Sequence, residues 1–435
     1  MNHAARVLIV ASCGLWAACG DGLVGDIGLC SFDGTCHDAG NSPPPRGGGG
    51  DGVGGGGIGG GGISGGGVGG GSGGSGGSGG GFSGTGGGTG AGGGGGGRGV
   101  DGGSTPEGGG GGAAARPCDI YADAGTPCVS AHSTVRALYA AYSGALYQVK
   151  KSDGSTKEIP VSAPGGFVDI SVQDSFCSGS TCTISVLYDQ SPQKNDLRKA
   201  PSGATWLPNG GKESSATKGR ITVSGHVAYG IYVTADSVAY RNNATKGVAT
   251  GDQAESMYMV VDGKRSSNSC CFDYGNAETN SKDNGNGTME ALYWGTDTTW
   301  GGKGDGNGPW LAADLENGMF KSDKGGWQTT STSPNAKSII ATFATGFLKG
   351  PSGNHFALKG GDAQSGKLVT TWDSVRPSPG YAPKKLEGAI ILGTGGDGSN
   401  GGTGTFYEGA MTIGNPSDAV DDAIQANIVS AGYGK

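Results

Sequence analysis

The stretch SMYMVV, residues 256–261, belongs to a series of short apolar runs that decide the fold class. Each run is rich in β-branched, aromatic or aliphatic residues and is bounded by Gly, Asn, Asp, Ser or Pro, which favour turns. The other runs are ALYQVK (145–150), FVDISV (167–172), CTISVLY (182–188), HVAYGIYV (226–233), MEALYW (289–294), PWLAADL (309–315), SIIATFA (338–344), KLVTTW (367–372) and GAIILG (388–393). Many short strands separated by turns are typical of an all-β sandwich. We therefore predict a jelly-roll-like (concanavalin A-like) β-sandwich.

Two segments at the ends of this region have helical spacing. Residues 131–142, AHSTVRALYAAY, place three large side chains at i, i+3 and i+7. Residues 417–431 are predicted as a second helix, with Ser417 as its N-cap. Three aliphatic side chains follow one stripe of that helix: Val420, Ile424 and Ile428. We expect these helices to lie at the periphery of the sandwich.

Glycine accounts for 98 of the 435 residues, and the excess is confined to one tract. Residues 46–112 are almost continuous Gly with scattered small residues. Such a composition leaves too few side chains to bury an apolar core against the entropy of ordering the backbone. We therefore predict a disordered Gly-rich linker over residues 20–115 and a folded domain over residues 116–435.

Residues 1–19, MNHAARVLIVASCGLWAAC, have the pattern of an export signal: one Arg, an apolar run, then small residues before a Cys. The apolar run is too short to span a bilayer. Ala17-Ala18-Cys19 resembles a bacterial lipobox, which predicts lipidation of Cys19. Trp16 stands where such motifs prefer Leu, so plain cleavage and release is the alternative. We expect an exported protein, either a cell-surface lipoprotein or an extracellular one.

Cysteine usage is consistent with an oxidising compartment. Apart from Cys13 and Cys19, the cysteines fall into close pairs: Cys30 with Cys36, Cys118 with Cys128, Cys177 with Cys182, and Cys270 next to Cys271. Local pairing is the simplest interpretation, although eight cysteines allow many connectivities. The adjacent Cys270 and Cys271 could bond to each other, pair with other cysteines or remain free thiols.

Charge and histidine content exclude several function classes. The net charge of −7 and the pI near 5.3 provide no basic face for nucleic acid or anionic lipid. The five His residues include no pair at zinc-ligand spacing. We expect a monomer that acts on a neutral ligand without metal or cofactor, and that contacts a membrane only through its lipid anchor.

The segment PWLAADLEN, residues 309–317, carries the first candidate carboxylates. Strand side chains alternate between faces. One face would carry Trp310, Ala312, Asp314 and Glu316, and the other Leu311, Ala313 and Leu315. Two carboxylates and an aromatic ring on one face are suited to a polar cleft. A solvated strand face with ordinary acids is the alternative.

Asp397 is the second candidate, in GTGGDGSN, residues 393–400, directly after an apolar strand. Its small neighbours would allow a substrate ring to approach the carboxyl closely, although a simple turn aspartate is the alternative. Retaining glycoside hydrolysis uses two carboxyl groups about 5–5.5 Å apart, one to attack the anomeric carbon and one to protonate the leaving oxygen. Glu316 and Asp397 are candidates for this pair, and Asp314 for binding sugar hydroxyls.

Several segments resemble the catalytic domain of glycoside hydrolase family 54, the α-L-arabinofuranosidase B family. They include PCDIYADAGTPC (117–128), VLYDQSPQKNDL (186–197), CCFDYGNAET (270–279), GDGNGPWLAADLEN (304–317) and EGAIILGTGGDGSNGGTGTFYEG (387–409). The resemblance covers roughly residues 117–433. It implies a jelly-roll β-sandwich that releases terminal arabinofuranosyl groups from arabinose-containing polysaccharides or oligosaccharides, derived from hemicellulose or pectin, with retention of configuration.

The resemblance also implies residue roles. Glu316 corresponds to the nucleophile and Asp397 to the acid/base. Cys270 and Cys271 correspond to a disulfide between neighbours that packs against the arabinose ring. Sugar contacts would fall on Trp300, Asp314, Asn317 and the backbone of Gly396.

Two other classes of function remain open from the sequence. Sandwiches of this kind also serve as non-catalytic carbohydrate-binding modules, because a fold does not dictate a function. A tethered adhesion protein with the adjacent cysteines as a redox element is a further possibility. Convergence of Glu316 and Asp397 in one pocket would favour the enzyme over both.

Overall fold

The computed structural model describes residues 114–435, which form a sandwich of two antiparallel sheets with three helices. The helices are α1 (Pro117–Asp123), α2 (Ile170–Cys177) and α3 (Asp418–Ser430). The strands are β1 (Cys128–Ser133), β2 (Ala145–Lys151), β3 (Thr156–Pro160), β4 (Cys182–Leu187), β5 (Leu197–Lys199), β6 (Ser214–Ser215), β7 (Ile221–Val223), β8 (His226–Ala228), β9 (Ile231–Val233), β10 (Tyr240–Asn242), β11 (Glu255–Asp262), β12 (Asp273–Ala277), β13 (Glu290–Gly295), β14 (Lys303–Asp305), β15 (Trp310–Asp314), β16 (Met319–Phe320), β17 (Thr332–Lys337), β18 (Phe343–Gly350), β19 (Phe356–Asp362), β20 (Ser365–Ser374), β21 (Ala389–Leu392) and β22 (Gly404–Ile413). The predicted signal segment, most of the linker, Cys19, Cys30 and Cys36 lie outside the described residues.

The two main sheets differ in size. The seven-stranded sheet has the order β1-β22-β11-β18-β19-β20, with β9 also paired to β22. The eleven-stranded sheet has the order β16-β15-β13-β12-β21-β10-β5-β4-β2-β3, with β6 also paired to β4. Strands distant in sequence are neighbours in both sheets, as in a jelly roll, which confirms the predicted fold class.

The core lies between the two sheets. Leu292 and Leu311 of the larger sheet pack against the backbone of Gly346 in the smaller one, where a Cβ would lie only 2.5 Å from Leu311 Cδ2. Leu311, Ala313 and Leu315 join this core, as the alternation within residues 309–317 predicts. The sheets therefore approach most closely where β18 crosses β13 and β15.

The outer face of the larger sheet is also buried, because loops cover it. Alternation directs Arg241, Asp273, Tyr293, Asp314 and Ile391 to this face. Two small apolar clusters there are separate from the main core: one of Ala277, Met289, Ala291 and Ile391, the other of Tyr293, Ala312 and Met319. Polar and charged side chains are thus enclosed between a sheet and its loops.

The helix predicted over residues 131–142 is wrong. Residues 128–133 form β1 instead, with Ala131 paired to Ala410 of β22, and every residue of the strand is buried. Side chains that are buried on both faces of a strand can also satisfy helical spacing, so periodicity alone does not separate the two. After the strand, Ser133 Oγ accepts the backbone N–H groups of Val135 and Arg136 and turns the chain.

The strand predicted over residues 167–172 is also wrong, because α2 begins at Ile170. A short apolar run of this length has no periodicity that distinguishes strand from helix. The helix predicted near the end of the chain is confirmed as α3, with Ser417 as its N-cap and Ile424 and Ile428 buried. Within residues 114–435 no helix is long and apolar enough to cross a bilayer.

A buried ion pair joins the two ends of the described region. Arg136 and Glu408 are fully buried, and Arg136 donates from Nε and Nη2 to the two Glu408 oxygens at 2.7 Å each. The hydroxyl of Tyr433 donates to Glu408 at 2.8 Å. Removing one charge of such a pair leaves the other buried without compensation.

We expect Glu408→Gln to lower the free energy of unfolding by about 3–5 kcal/mol, because the Arg136 guanidinium would then be buried without its counter-ion. Asp236→Asn is the matched control, since Asp236 and its partner Lys212 are both more than half exposed; it should change stability by less than about 1 kcal/mol. Urea denaturation of both variants measures the difference. Equal, small effects would contradict the structural role of the Arg136 pair.

Candidate active site

Glu316 lies in a two-residue hairpin rather than on a strand. Strand β15 ends at Asp314, Leu315 N donates to Gly318 O at 3.1 Å, and β16 follows. Glu316 and Asn317 at the tip both have positive φ, 63° and 59°, as a type I′ turn requires. The strand predicted through residue 316 is therefore too long by two residues. Asp314 Oδ1 accepts the Glu316 N–H at 3.2 Å, which keeps the two acids together.

The loop after β21 carries Asp397 across the outer face of the larger sheet. Gly395 N donates to Ser399 O at 2.7 Å, and Asp397 Oδ1 accepts the N–H of Ser399 at 2.9 Å. A side-chain carbon on Gly396 would collide with carboxyl oxygens of Glu278 and Glu316. The absence of a side chain at Gly396 thus allows the Asp397 loop to lie directly on Glu316.

Two pairs of buried carboxyl groups lie near Gly396. Glu278 lies beside Glu316, with both Oε2 atoms against the backbone of Gly396, and Asp273 lies beside Asp314. All four side chains are at most 6 % exposed. Two carboxylates this close repel each other in a desolvated space unless one of them is protonated. Burial and this repulsion therefore favour the neutral form of one acid in each pair.

Burial raises the pKa of all four acids. Burial and the adjacent Glu278 carboxyl raise the pKa of Glu316 to about 11. Burial raises the pKa of Asp314 to about 7. The same cause raises the pKa of Glu278, and raises that of Asp273 well above its usual range.

Arg241 of β10 binds the loop that carries Asp397. Its Nη1 donates to Gly396 O at 2.7 Å, Nη2 donates to Glu278 O, and Nε donates to Asn243 Oδ1. Burial lowers the pKa of Arg241 to about 10, so it is charged at neutral pH. The guanidinium thus ties the loop to the end of β12 and places one positive charge among the acids.

Cys270 and Cys271 form a disulfide at the start of β12. Cys271 Sγ lies 3.6 Å from Asp314 Oδ2, and a Cβ on Gly395 would lie 3.0 Å from the same sulfur. Two further disulfides join Cys118 to Cys128 and Cys177 to Cys182. Both sulfurs and a carboxyl oxygen of Asp314 lie within 4.8 Å of one another, but disulfide sulfurs lack the thiolate charge that binds metal.

Trp300 and Asn317 lie at the border of the site. Trp300 is half-buried, packs with Cys270 against the outer-face cluster of Tyr293, Ala312 and Met319, and lies beside the exposed Trp327 at a centroid distance of 4.3 Å, with the ring planes tilted by 51°. Asn317 Nδ2 donates to Asp283 Oδ1 at 3.2 Å, and Asn317 O accepts the Tyr381 hydroxyl at 3.2 Å. Of the residues singled out in the sequence, Glu316, Asp397, Asp314, Gly396 and Cys271 are brought into direct proximity.

Sequence reasoning missed Arg241, Asp273 and Glu278. Asp273 and Glu278 lie in residues 270–279, a segment already singled out by resemblance. No spacing marks the three residues as different from ordinary strand acids and bases. Their importance comes from burial against Gly396, Asp314 and Glu316, which different elements supply.

Comparison with known proteins identifies the family. The family model described as "Alpha-L-arabinofuranosidase B, catalytic" matches residues 117–434. The chain belongs to the α-L-arabinofuranosidase B catalytic-domain family.

Similar relatives of this α-L-arabinofuranosidase B-family chain are fungal. It is 52 % identical over 325 residues to alpha-L-arabinofuranosidase B of Aspergillus oryzae, covering 74 % of this chain and 63 % of that protein. It is 52 % identical over 326 residues to the arabinofuranosidase/B-xylosidase of Trichoderma koningii, with the same shares covered. The chain thus spans less than two thirds of the length of these curated relatives.

A solved arabinofuranosidase complexed with arabinofuranosyl-alpha-1,2-xylobiose has a similar fold. Its TM-score is 0.70 at 46 % sequence identity, and the alignment covers 73 % of this chain and 65 % of the other. A GH54 α-L-arabinofuranosidase soaked with a cyclic sulfate inhibitor gives the same TM-score at 47 % identity. The fold described here for residues 114–435 is therefore the fold of this family.

The raised pKa of Asp314 predicts a pH-dependent stability. Between about pH 4 and about pH 7 the folded state keeps a proton that the unfolded state releases, so stability is greatest below about pH 4 and decreases as the pH rises. We expect Asp314→Asn to reduce this decrease, by up to about 1.4 kcal/mol per pH unit. Urea denaturation across this range measures the slope. Asp305→Asn, at an exposed position, should leave the slope unchanged; identical slopes for Asp314→Asn and the unmodified protein would contradict the interpretation.

Proposed function

We propose that this chain is a retaining α-L-arabinofuranosidase that releases terminal non-reducing α-L-arabinofuranosyl residues from hemicellulose- or pectin-derived arabinosides. The observation that supports this most strongly is the convergence of two acidic loops at one glycine. Glu316 Oε2 lies 2.9 Å from the position of a Cβ on Gly396, and Asp397 is the next residue along the chain. Two carboxyl groups from separate elements thus border one small space.

In the first step, a carboxylate oxygen of Glu316 attacks the anomeric carbon. The bond from that carbon to the leaving oxygen breaks, and the Asp397 carboxyl donates its proton to the departing oxygen. The product of this step is an arabinosyl ester of Glu316, with Asp397 ionised. The positive φ of the hairpin tip directs Glu316 away from β15 and toward the loop.

In the second step, water replaces the ester. Asp397, now ionised, removes a proton from the water, whose oxygen forms a bond to the anomeric carbon while the bond to Glu316 breaks. Two displacements at one carbon restore the original configuration. Asp397 regains its proton, so the site returns to its starting charge.

The surroundings suit a neutral furanose. The Cys270–Cys271 disulfide offers an apolar platform beside Asp314, and the carboxyl of Asp314 can accept hydrogen bonds from sugar hydroxyls. Trp300 and Asn317 border the same space and are proposed sugar contacts. No basic group would be needed to bind such a ligand.

A non-catalytic carbohydrate-binding function is the alternative. Binding a neutral sugar does not require two protonated carboxyl pairs, since burying carboxyl groups is unfavourable and neutral amides donate and accept hydrogen bonds equally well. A tethered adhesion protein, the other alternative, would not require buried carboxyl pairs either. The carboxyl cluster therefore favours the enzyme.

Removing each carboxyl should give a different phenotype on an aryl α-L-arabinofuranoside. With Glu316→Ala the ester cannot form, so kcat should decrease by about 10³-fold or more. With Asp397→Ala an activated aryl group still departs, and azide should restore turnover by replacing base-activated water. We expect the rescued product to be an arabinofuranosyl azide of retained configuration, identified by NMR.

Asp305→Ala, at an exposed position away from the site, is the control for handling and folding. A retained azide product from the Glu316 variant, together with an inverted one from the Asp397 variant, would mean that the two roles are exchanged. Near-normal rates in both variants would exclude the catalytic assignment.

We further propose that the protein is exported and retained at the cell surface by lipidation of Cys19. The support is the lipobox-like Ala17-Ala18-Cys19 before the Gly-rich tract, together with three disulfides among residues 114–435, which are typical of exported proteins. Cys19→Ser should move the protein from the membrane fraction to the medium, with Cys13→Ser as the matched control. Unchanged partitioning of the Cys19 variant would support simple secretion.

A further inference from the structure

Glu278 is a fully buried glutamate that faces Glu316. Its Oε1 accepts a hydrogen bond from Thr288 Oγ1 at 2.5 Å. Its Oε2 is buried, and within residues 114–435 no group donates a hydrogen bond to it. Both Glu278 Oε2 and Glu316 Oε2 lie against the backbone of Gly396. A buried carboxyl oxygen is thus directed at the proposed nucleophile from the side of the sheet.

Among residues 114–435 no cation is hydrogen-bonded to the side chains of this pair. Arg241 acts on Glu278 and Glu316 through its charge, but its N–H groups donate to the backbone oxygens of Gly396 and Glu278 and to the side chain of Asn243. The guanidinium therefore stabilises a negative charge on one of the two carboxyls, Glu278 or Glu316. It does not offset a negative charge on both of them. A proton between the carboxyls is what allows them to be in contact.

The position of that proton follows from burial and charge. Glu278 is 0 % exposed and Glu316 is 6 % exposed, so a negative charge is less costly on Glu316. The sugar also acquires positive charge at its anomeric carbon in the transition state. That charge would lie next to Glu316 and further stabilise its ionised form.

We propose that Glu278 is a positioning residue that takes up the proton shared with Glu316 and donates a hydrogen bond to the Glu316 carboxylate during the reaction. This inference rests on the proposed function. The O–H bond at Glu316 breaks and an O–H bond at Glu278 forms, so no proton leaves the site. The electron pair freed on Glu316 then forms the bond to the anomeric carbon.

The same hydrogen bond serves the second displacement. When water attacks, Glu316 departs from the sugar as a carboxylate, and neutral Glu278 donates to it again. A donor aimed at a developing oxyanion contributes most when solvent is excluded, as it is beneath Gly396. The proton on Asp397 is separate and travels to the leaving oxygen.

Two substitutions separate this role from a structural one. Glu278→Gln keeps a neutral N–H donor and an oxygen that can accept from Thr288. Glu278→Met keeps the length of the side chain but cannot donate, and an apolar side chain is compatible with the buried position. On an aryl α-L-arabinofuranoside we expect kcat/KM of the Gln variant within about tenfold of the unmodified protein, and that of the Met variant lower by about 10²–10³-fold.

Glu255→Gln is the matched control. Glu255 is a second buried glutamate whose carboxyl contacts that of another, Glu290, and it lies on β11 in the smaller sheet. It should lower stability without changing kcat/KM. Equal losses for the Gln and Met variants at Glu278, both folded by circular dichroism, would overturn the proposal, as would a Met variant with normal kcat/KM.

A second readout does not depend on turnover. In protein labelled with ¹³C at the glutamate carboxyl groups, NMR at pH 7 should show one protonated carboxyl for the Glu278–Glu316 pair. In Glu278→Gln that signal should disappear and Glu316 should be ionised, because an amide donor favours its charged form. The charged and titratable groups around the pair are Arg241, Asp314 and Asp397. A protonated Glu316 in the Gln variant would overturn the proposal, even if the unmodified protein had no arabinofuranosidase activity.

Discussion

Four acids buried side by side on the outer face of the larger sheet set the main physical constraint on this molecule. Asp273, Glu278, Asp314 and Glu316 cannot all be ionised there, because like charges in a desolvated space repel strongly. Burial raises the pKa of all four acids and so favours their neutral forms, and the guanidinium of Arg241 places one positive charge among them. The hairpin tip, the Asp397 loop and β10 all contact these acids, so their positions depend on the acids not being ionised together.

The sandwich provides the rigidity that such an arrangement needs. The inner face of the larger sheet is fixed by close contact with the smaller sheet at Gly346, so the outer face cannot shift to separate the acids. Strands β15, β12 and β10 of this sheet direct Asp314, Asp273 and Arg241 to that face. Functional groups supplied by paired strands are held more exactly than groups on long loops.

The sequence indicates much of this fold. Most of the apolar runs between turn residues fall on strands, and the stripe through Ile424 and Ile428 corresponds to α3. Hydrophobic periodicity does not distinguish a strand from a helix where a segment is buried on both faces, as in β1, or where an apolar run is too short, as at α2.

The site is predictable only in part. Glu316 and Asp397 stand out because they follow strands and have small or polar neighbours, and resemblance to a known family adds the cysteines. Glu278 and Asp273 do not stand out, because their environment is created by partners more than 30 residues away in the chain, Glu316 and Asp314. Pairing of carboxyls is a property of tertiary structure that no local pattern encodes.

The hairpin tip also bears on how such a protein can change over evolutionary time. A glutamate in the left-handed region is disfavoured by roughly 1–2 kcal/mol relative to glycine, and asparagine tolerates that region better. Replacing Glu316 by either residue would relieve both the backbone and the crowded carboxyls. The proposed nucleophile thus stands where backbone conformation and neighbouring acids both disfavour it, a local cost of the kind found where stability and activity conflict.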